Sequence, residues 1–211
     1  MIPVSEDFQK ALLKWDKEPG RLDMTHKIAR AMLNRTSPRG NEVLLDYGTG
    51  TGLIALEFLH SVKKIVAVDS SKDMLIFLRK KLNTNSITTI IPLEWSIGSD
   101  PSPLPRFDII IVSLTLHHVP DTSQAAEVFY SLLKPGGIIA IADLDPDNGE
   151  SHGPEMTVMN GFVRENLMEI FKKAGFTGIQ IDTVANLTKM SSKTKVVKEF
   201  PIFLMIAHKV E

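Results

Sequence analysis

The sequence predicts a doubly wound α/β fold, and three observations carry the prediction. Short apolar runs alternate with helical patterns between residues 43 and 142. Two of these runs, 109–112 and 138–141, are apolar at every position, as strands buried on both faces are. The first run ends in the turn Gly48-Thr49-Gly50-Thr51-Gly52, where the chain passes from strand to helix.

The elements follow in order. Residues 7–34 carry Phe8, Leu12, Leu13, Ile28, Ala29, Met32 and Leu33 at helical spacing, and Pro19-Gly20 is expected to break them into two helices. Strand 43–47 leads through the glycine turn into helix 52–61. Strand 64–68 precedes helix 71–83, strand 88–93 precedes a Pro-rich loop at 99–105, and strand 107–113 precedes helix 123–133. Strand 137–142 is followed by a polar stretch, 144–161, with no regular period. Helix 162–174 ends at Gly175, a good C′ residue. Strands 178–188 and 200–210 close the chain. The segment 189–198 between them is too short for a crossover helix, so these two strands should pair antiparallel.

Composition bounds the function. The 211 residues suffice for one sizeable core, and 43% hydrophobic with 23% charged is ordinary for a soluble globular domain. A formal net charge of −1 gives no electrostatic case for a nucleic-acid or membrane partner. The basic run Arg79-Lys80-Lys81 sits late in a predicted helix and reads as a solvated end. Cysteine is absent, which excludes disulfides, thiolate metal sites and cysteine nucleophiles. Glu6 and Asp7 without a long apolar core argue against a signal peptide, and no run is long enough to span a bilayer. A cytoplasmic protein is expected. No histidine–carboxylate spacing suggests a metal site.

The spacing of the glycine turn narrows the ligand. A dinucleotide turn reads G-x-G-x-x-G and presents bare N–H groups to a pyrophosphate. Here the pattern is G-x-G-x-G, with Asp46 two positions before the first glycine. An acid there repels a pyrophosphate and tolerates a cation, which points to a sulfonium compound with a free amino group. A second acid, Asp69, ends the apolar run 65–68. That position suits ribose hydroxyls, although Asp69 could also serve as a turn residue before the helix at Ser71.

Two further motifs follow. One is Phe107-Asp108-Ile109-Ile110-Ile111-Val112-Ser113-Leu114-Thr115-Leu116-His117-His118-Val119. The other is Leu132-Leu133-Lys134-Pro135-Gly136-Gly137-Ile138-Ile139-Ala140-Ile141-Ala142-Asp143. With these four motifs in order, the chain resembles class I S-adenosylmethionine-dependent methyltransferases, in the broad group that includes the ubiquinone/menaquinone methyltransferases. The resemblance spans about residues 43–143.

It implies a Rossmann-like sheet of seven strands in order 3-2-1-4-5-7-6, strand 7 antiparallel, with helices on both faces. It implies S-adenosyl-L-methionine as cofactor. Asp46, Gly48, Gly50 and Gly52 would flank its methionyl part, and Asp69 with Ser70 would hold the ribose. Glu94 and Trp95 would lie by the adenine, and Ser113 and Leu114 near the methionine. Glu94 stands where the family commonly has Asp. Trp95 could stack on the base or pack under the following loop.

His117 and His118 follow the fourth strand, where a substrate would enter. Either could act as a general base, or one ring could brace the loop. The expected reaction is methyl transfer to a small molecule, within one domain over 1–211. Residues 1–40 would form a helical cap. Residues 145–161 would form a lid that closes over the acceptor, with Trp15 and Asp16 on the other side and the closing hairpin near Lys193 unaffected. A non-catalytic S-adenosylmethionine-binding module would share every motif, and a dinucleotide oxidoreductase would not.

Overall fold

The structure, a computed structural model, describes residues 16, 18–101, 104–151 and 159–210. The strands are β1 (Val43–Tyr47), β2 (Lys64–Asp69), β3 (Ile90–Glu94), β4 (Phe107–Ser113), β5 (Leu133–Leu144), β6 (Thr177–Met190) and β7 (Val197–His208). They form one sheet in the order β3-β2-β1-β4-β5-β7-β6. The first five are parallel, and β7 runs antiparallel to both β5 and β6.

The unbroken apolar strands have a simple cause. Successive side chains point to opposite faces, and both faces are covered. Leu44, Ile109, Ile111, Ala140 and Ala142 face one buried cluster. Their neighbours Leu45, Ile110, Val112, Ile139 and Ile141 face the other. The first cluster is roofed by helices α1 (Pro19–Thr36), α2 (Leu53–Glu57) and α3 (Lys72–Thr84), through Met24, Ile28, Ile54, Leu78 and Leu82. The second is roofed by α4 (Thr122–Leu132) and α5 (Arg164–Lys173), through Ala125, Phe129, Leu167 and Phe171. Pro92, which lacks an N–H, sits in β3 at one edge of the sheet, where that donor is not needed by a further strand.

Pro19-Gly20 opens α1, which is compatible with the expected division at this point: proline at N1 has the right φ and its missing N–H would be unpaired there anyway. Residues 1–15 and 17 of the expected cap, Trp15 included, lie outside the described residues. Several other boundaries differ from expectation. Helix α2 stops at Glu57. Beyond it the chain tightens into i→i+3 bonds, Leu59 to Leu56 and Ser61 to Phe58, which turn it toward β2. Strands β6 and β7 are longer than the alternation suggested, 14 and 12 residues.

Candidate active site

The first βα turn is built from close backbone packing. The N–H groups of Gly48 and Thr49 both donate to the Val68 carbonyl at 2.9 Å, which ties the turn to β2. Gly48, Gly50 and Gly52 all have positive φ, at 70°, 53° and 81°. Their surroundings differ. A Cβ on Gly48 would lie 2.1 Å from the Thr115 methyl, and one on Gly52 would lie 2.5 Å from Leu78 in α3. A Cβ on Gly50 would meet nothing within 4 Å. Gly48 and Gly52 are therefore glycine for packing as well as conformation. At Gly50 the open space is the cavity itself.

Asp69, at the end of β2, fixes this turn from the other side. One carboxylate oxygen accepts from the Gly50 N–H and the other from the Ser71 N–H, both at 2.8 Å. Each oxygen keeps a second lone pair. The turn reading and the ligand reading of Asp69 are thus compatible. Ser71 in turn caps α3 by accepting from the Met74 N–H.

A cavity of about 640 Å³ opens at the carboxyl ends of β1 to β4. That is where open α/β sheets bind ligands, and the size suits a cofactor-sized molecule. Gly48, Gly50, Asp69, Ser70, Trp95, Leu114 and His118 line it, together with Met74, Thr115 and Gln124. A smaller cavity of about 180 Å³ shares Gly48, Gly50, Leu114 and Thr115, and adds Asp46, Ser113 and, from α1, Arg21, Met24 and Thr25. Leu114 holds φ +50°, an unusual conformation for a bulky residue, at the junction of the two.

Asp46 is 2% exposed and accepts from the Thr49 hydroxyl at 2.6 Å. Burial pushes its carboxyl up to about 7. The Thr49 hydrogen bond opposes that, and the nearby Asp69 carboxylate adds to it. An acid so desolvated favours a cation beside it.

Trp95 is buried. Its indole N–H donates to the Asp100 carbonyl at 3.0 Å and its ring meets Tyr47 edge-on, so it packs under the following loop while one surface faces the cavity.

Other expectations need correction. Gly52 lines neither cavity, since its approach to Leu78 turns it toward α3. Glu94 lies outside the main cavity, in a small side pocket with Ser70, 3.7 Å from Lys72. His117 is 3% exposed and lines neither cavity. Its Nδ1 lies 2.6 Å from Asp143 Oδ1, and its backbone N–H donates to the other oxygen of that carboxylate. The ring braces the turn after β4. His118, its ring centroid 4.2 Å away and tilted by 40°, is the histidine that reaches the cavity.

Lys81 is not a solvated helix end. It donates to the Thr51 carbonyl at 2.7 Å and pairs with Asp16, whose other oxygen accepts from the Thr51 hydroxyl at 2.6 Å. Asp16 is thus anchored to the glycine turn.

The expected lid is anchored at both described ends. The Glu150 carboxylate accepts from Ser191 and Lys198, which hold it below the ordinary carboxylate range. Lys189 donates to the Ser151 carbonyl and Ser192 to the Gly149 carbonyl. On the far side the Met159 N–H donates to the His117 carbonyl. Residues 152–158 lie outside the described residues. The hairpin and the described stem of the lid are therefore joined by hydrogen bonds.

Sequence reasoning missed Thr115, Met74, Gln124 and Arg21. Thr115 follows directly on the Ser113-Leu114 motif, and Met74 lies one turn into the helix after Asp69. Arg21 gave no signal, because helical spacing marks only the buried face of α1. Among the described residues there is no group of three or more His, Asp or Glu able to hold a metal ion, and no helix long and apolar enough to cross a membrane.

This site, at the glycine turn of a seven-stranded sheet closed by an antiparallel pair, is that of a class I methyltransferase fold. Residues 18–181 match the methyltransferase domain family, and the chain belongs to it. The family and fold imply use of S-adenosylmethionine. An uncharacterized methyltransferase of Schizosaccharomyces pombe is 26% identical over 81% of this chain and 65% of its own length. The ubiquinone/menaquinone biosynthesis C-methyltransferase UbiE of Pectobacterium carotovorum is 28% identical over 67% of this chain and 59% of its own length. The chain thus spans somewhat under two thirds of these relatives. The Bacillus subtilis YcgJ protein shares the fold, with a TM-score of 0.73 at 18% identity over 88% of this chain and 99% of that one.

Proposed function

We propose that the protein transfers a methyl group from S-adenosyl-L-methionine to a small-molecule acceptor. The observation that carries this is the Gly50–Asp69 pair: a glycine whose missing side chain leaves the cavity open, hydrogen-bonded to an acid with lone pairs to spare.

The cofactor, when bound, supplies an electrophilic methyl group on a sulfonium. The residues then divide the task. Asp46 offers a desolvated carboxylate to the ammonium of the methionyl part. Gly48 and Gly50 let that part lie against backbone, beside Ser113 and Leu114. Asp69 accepts from the ribose hydroxyls, with Ser70 next to it. Trp95 walls the adenine side, and Glu94 stands at the outer rim. His118 is the group in reach of an acceptor proton, and His117, itself braced by Asp143, packs against its ring. Gly52 contributes through packing on α3.

Alignment of nucleophile, methyl carbon and sulfur can itself supply about 7–11 kcal/mol of a barrier, so the protein's main work is positioning and exclusion of water. A small acceptor is supported by the near-neutral net charge of −1 and by the modest space between α1 and the turn after β4. The test is transfer of labelled methyl from S-adenosylmethionine into a fractionated cell extract. Label in the small-molecule fraction is expected. Label confined to protein or RNA would overturn the acceptor class, and no label despite tight cofactor binding would favour a non-catalytic binding module.

A further inference from the structure

We propose that the tip of the β6–β7 hairpin is a docking surface for an anionic lipid bilayer, presented at the rim of the site. Residues 197–201 of β7 run on beyond Ile202, the partner of Leu144 at the end of β5. At about 3.3 Å per residue, that carries the tip roughly 15 Å past the carboxyl edge of the sheet. The glycine turn opens at that same edge.

The two faces of this extension differ. On one, the cross-strand pair Lys189 and Lys198 grips the stem of the lid through the Ser151 carbonyl and Glu150. On the other, the cross-strand pair Met190 and Val197 is 57% and 61% exposed, with Val196 beside it at 58%. These three are half of the six large apolar side chains exposed among the described residues. They cannot fold inward. The turn is closed by Ser191 N–H to the Val196 carbonyl at 2.8 Å, and the Ser191 hydroxyl accepts from the Lys193 and Thr194 N–H groups. A clustered apolar patch held out in this way marks a contact surface.

Charge identifies the partner. Residues 189–198 read Lys-Met-Ser-Ser-Lys-Thr-Lys-Val-Val-Lys, four lysines and no acid, in a chain of net charge −1. The flanking acids are Glu150, already engaged by Lys198 and Ser191, and Glu199, which accepts from Asn186. Lys198 is neutralised by Glu150, but Lys189 and Lys193 are held by the Ser151 and Asn148 carbonyls and keep their charge, and Lys195 adjoins Val196. Apolar tips beside this net positive charge match the headgroup boundary of an anionic leaflet. Base readout or stacking on a nucleic acid would call for arginine forks or aromatic platforms, and residues 189–198 have neither. The expectation of no membrane partner rested on net charge, which averages this patch away. The inference stands independently of the methyl-transfer reading.

The test is co-sedimentation of the full chain with vesicles of phosphatidylcholine alone or mixed with phosphatidylglycerol. The chain should sediment with the anionic vesicles only, less so as salt rises. The double variant Lys195→Glu, Val196→Asp should lower the partition by about tenfold or more, with thermal unfolding and S-adenosylhomocysteine affinity unchanged. Absence of sedimentation, equal sedimentation with neutral vesicles, or an unchanged double variant would overturn the proposal. So would a concentration-dependent dimer that the variant abolishes, which would assign the patch to a second copy, or binding to an oligonucleotide in place of vesicles.

Discussion

The Asp69 carboxylate and the Gly50 backbone N–H lie 2.8 Å apart, joining the end of β2 to the glycine turn after β1. The acid that would hold a ribose also holds the turn on which the rest of the ligand would lie. Asp69→Ala should therefore do two things. It should weaken S-adenosylhomocysteine binding by about 1.5–3 kcal/mol, and it should lower stability by about 1–3 kcal/mol, because the Gly50 and Ser71 N–H groups lose their acceptor. Asp69→Asn keeps an acceptor oxygen and should restore part of both. Calorimetry and thermal unfolding read the two effects; a loss of stability with full affinity would leave Asp69 a turn residue only.

The glycines of one turn should separate into two kinds. Gly52→Ala puts a Cβ against Leu78 at positive φ and should destabilise the fold by about 1–3 kcal/mol. Gly50→Ala meets only open space, so its cost is the backbone conformation, about 1 kcal/mol. Cofactor affinity should rank the other way, with Gly50→Ala weaker than Gly52→Ala. The same ranking in both measurements would contradict the assignment of Gly50 to the cavity.

Asp46 predicts a pH dependence. Its carboxyl is raised by burial to about 7, whereas in the unfolded chain it titrates near 4. The folded state thus binds the proton more tightly. Its contribution to stability is complete below pH 4 and is lost as pH rises toward 7, at up to about 1.4 kcal/mol per unit. A bound ammonium would reverse the preference, so S-adenosylhomocysteine should bind more weakly below pH 7 and release a proton on binding. Calorimetry in buffers of different ionisation enthalpy measures that proton. In Asp46→Asn both dependences should vanish.

The adjacent histidines should behave oppositely. His117→Ala leaves the buried Asp143 carboxylate without its ring partner and should cost about 3–5 kcal/mol of stability. His118→Ala, at an exposed position, should change stability by less than about 0.5 kcal/mol. It should still lower turnover at least about tenfold if His118 accepts the acceptor's proton. Unchanged turnover would remove His118 from the chemistry.

The contrast between the two histidines shows where sequence reasoning stops. The alternation of strands and helices, the glycine turn and the two acids that end β1 and β2 were legible, because strand burial, φ > 0 turns and strand-end acids each favour a particular residue type, whereas the full sheet order came only from the family resemblance. What sequence spacing does not encode is which way a side chain turns after a strand ends. His117 and His118 are adjacent, and only the partner Asp143, 26 residues away, turns one inward. Gly52 was grouped with Gly50 for the same reason, since Leu78 is invisible in the local pattern. Lys81 looked like a solvated helix end because its partners, Asp16 and Thr51, are 65 and 30 residues away. The tie between Glu150 and Lys198 likewise joins segments that composition treats separately.

The most direct test of the account is isothermal calorimetry of S-adenosylhomocysteine against the native chain and Gly50→Val. The native chain should bind with one site and ignore NAD. Gly50→Val, with its unfolding still cooperative, should bind at least about tenfold more weakly, because a branched side chain then fills the cavity. Equal affinity in a folded Gly50→Val protein, or no binding by the native chain, would contradict the assignment of this cavity to the cofactor.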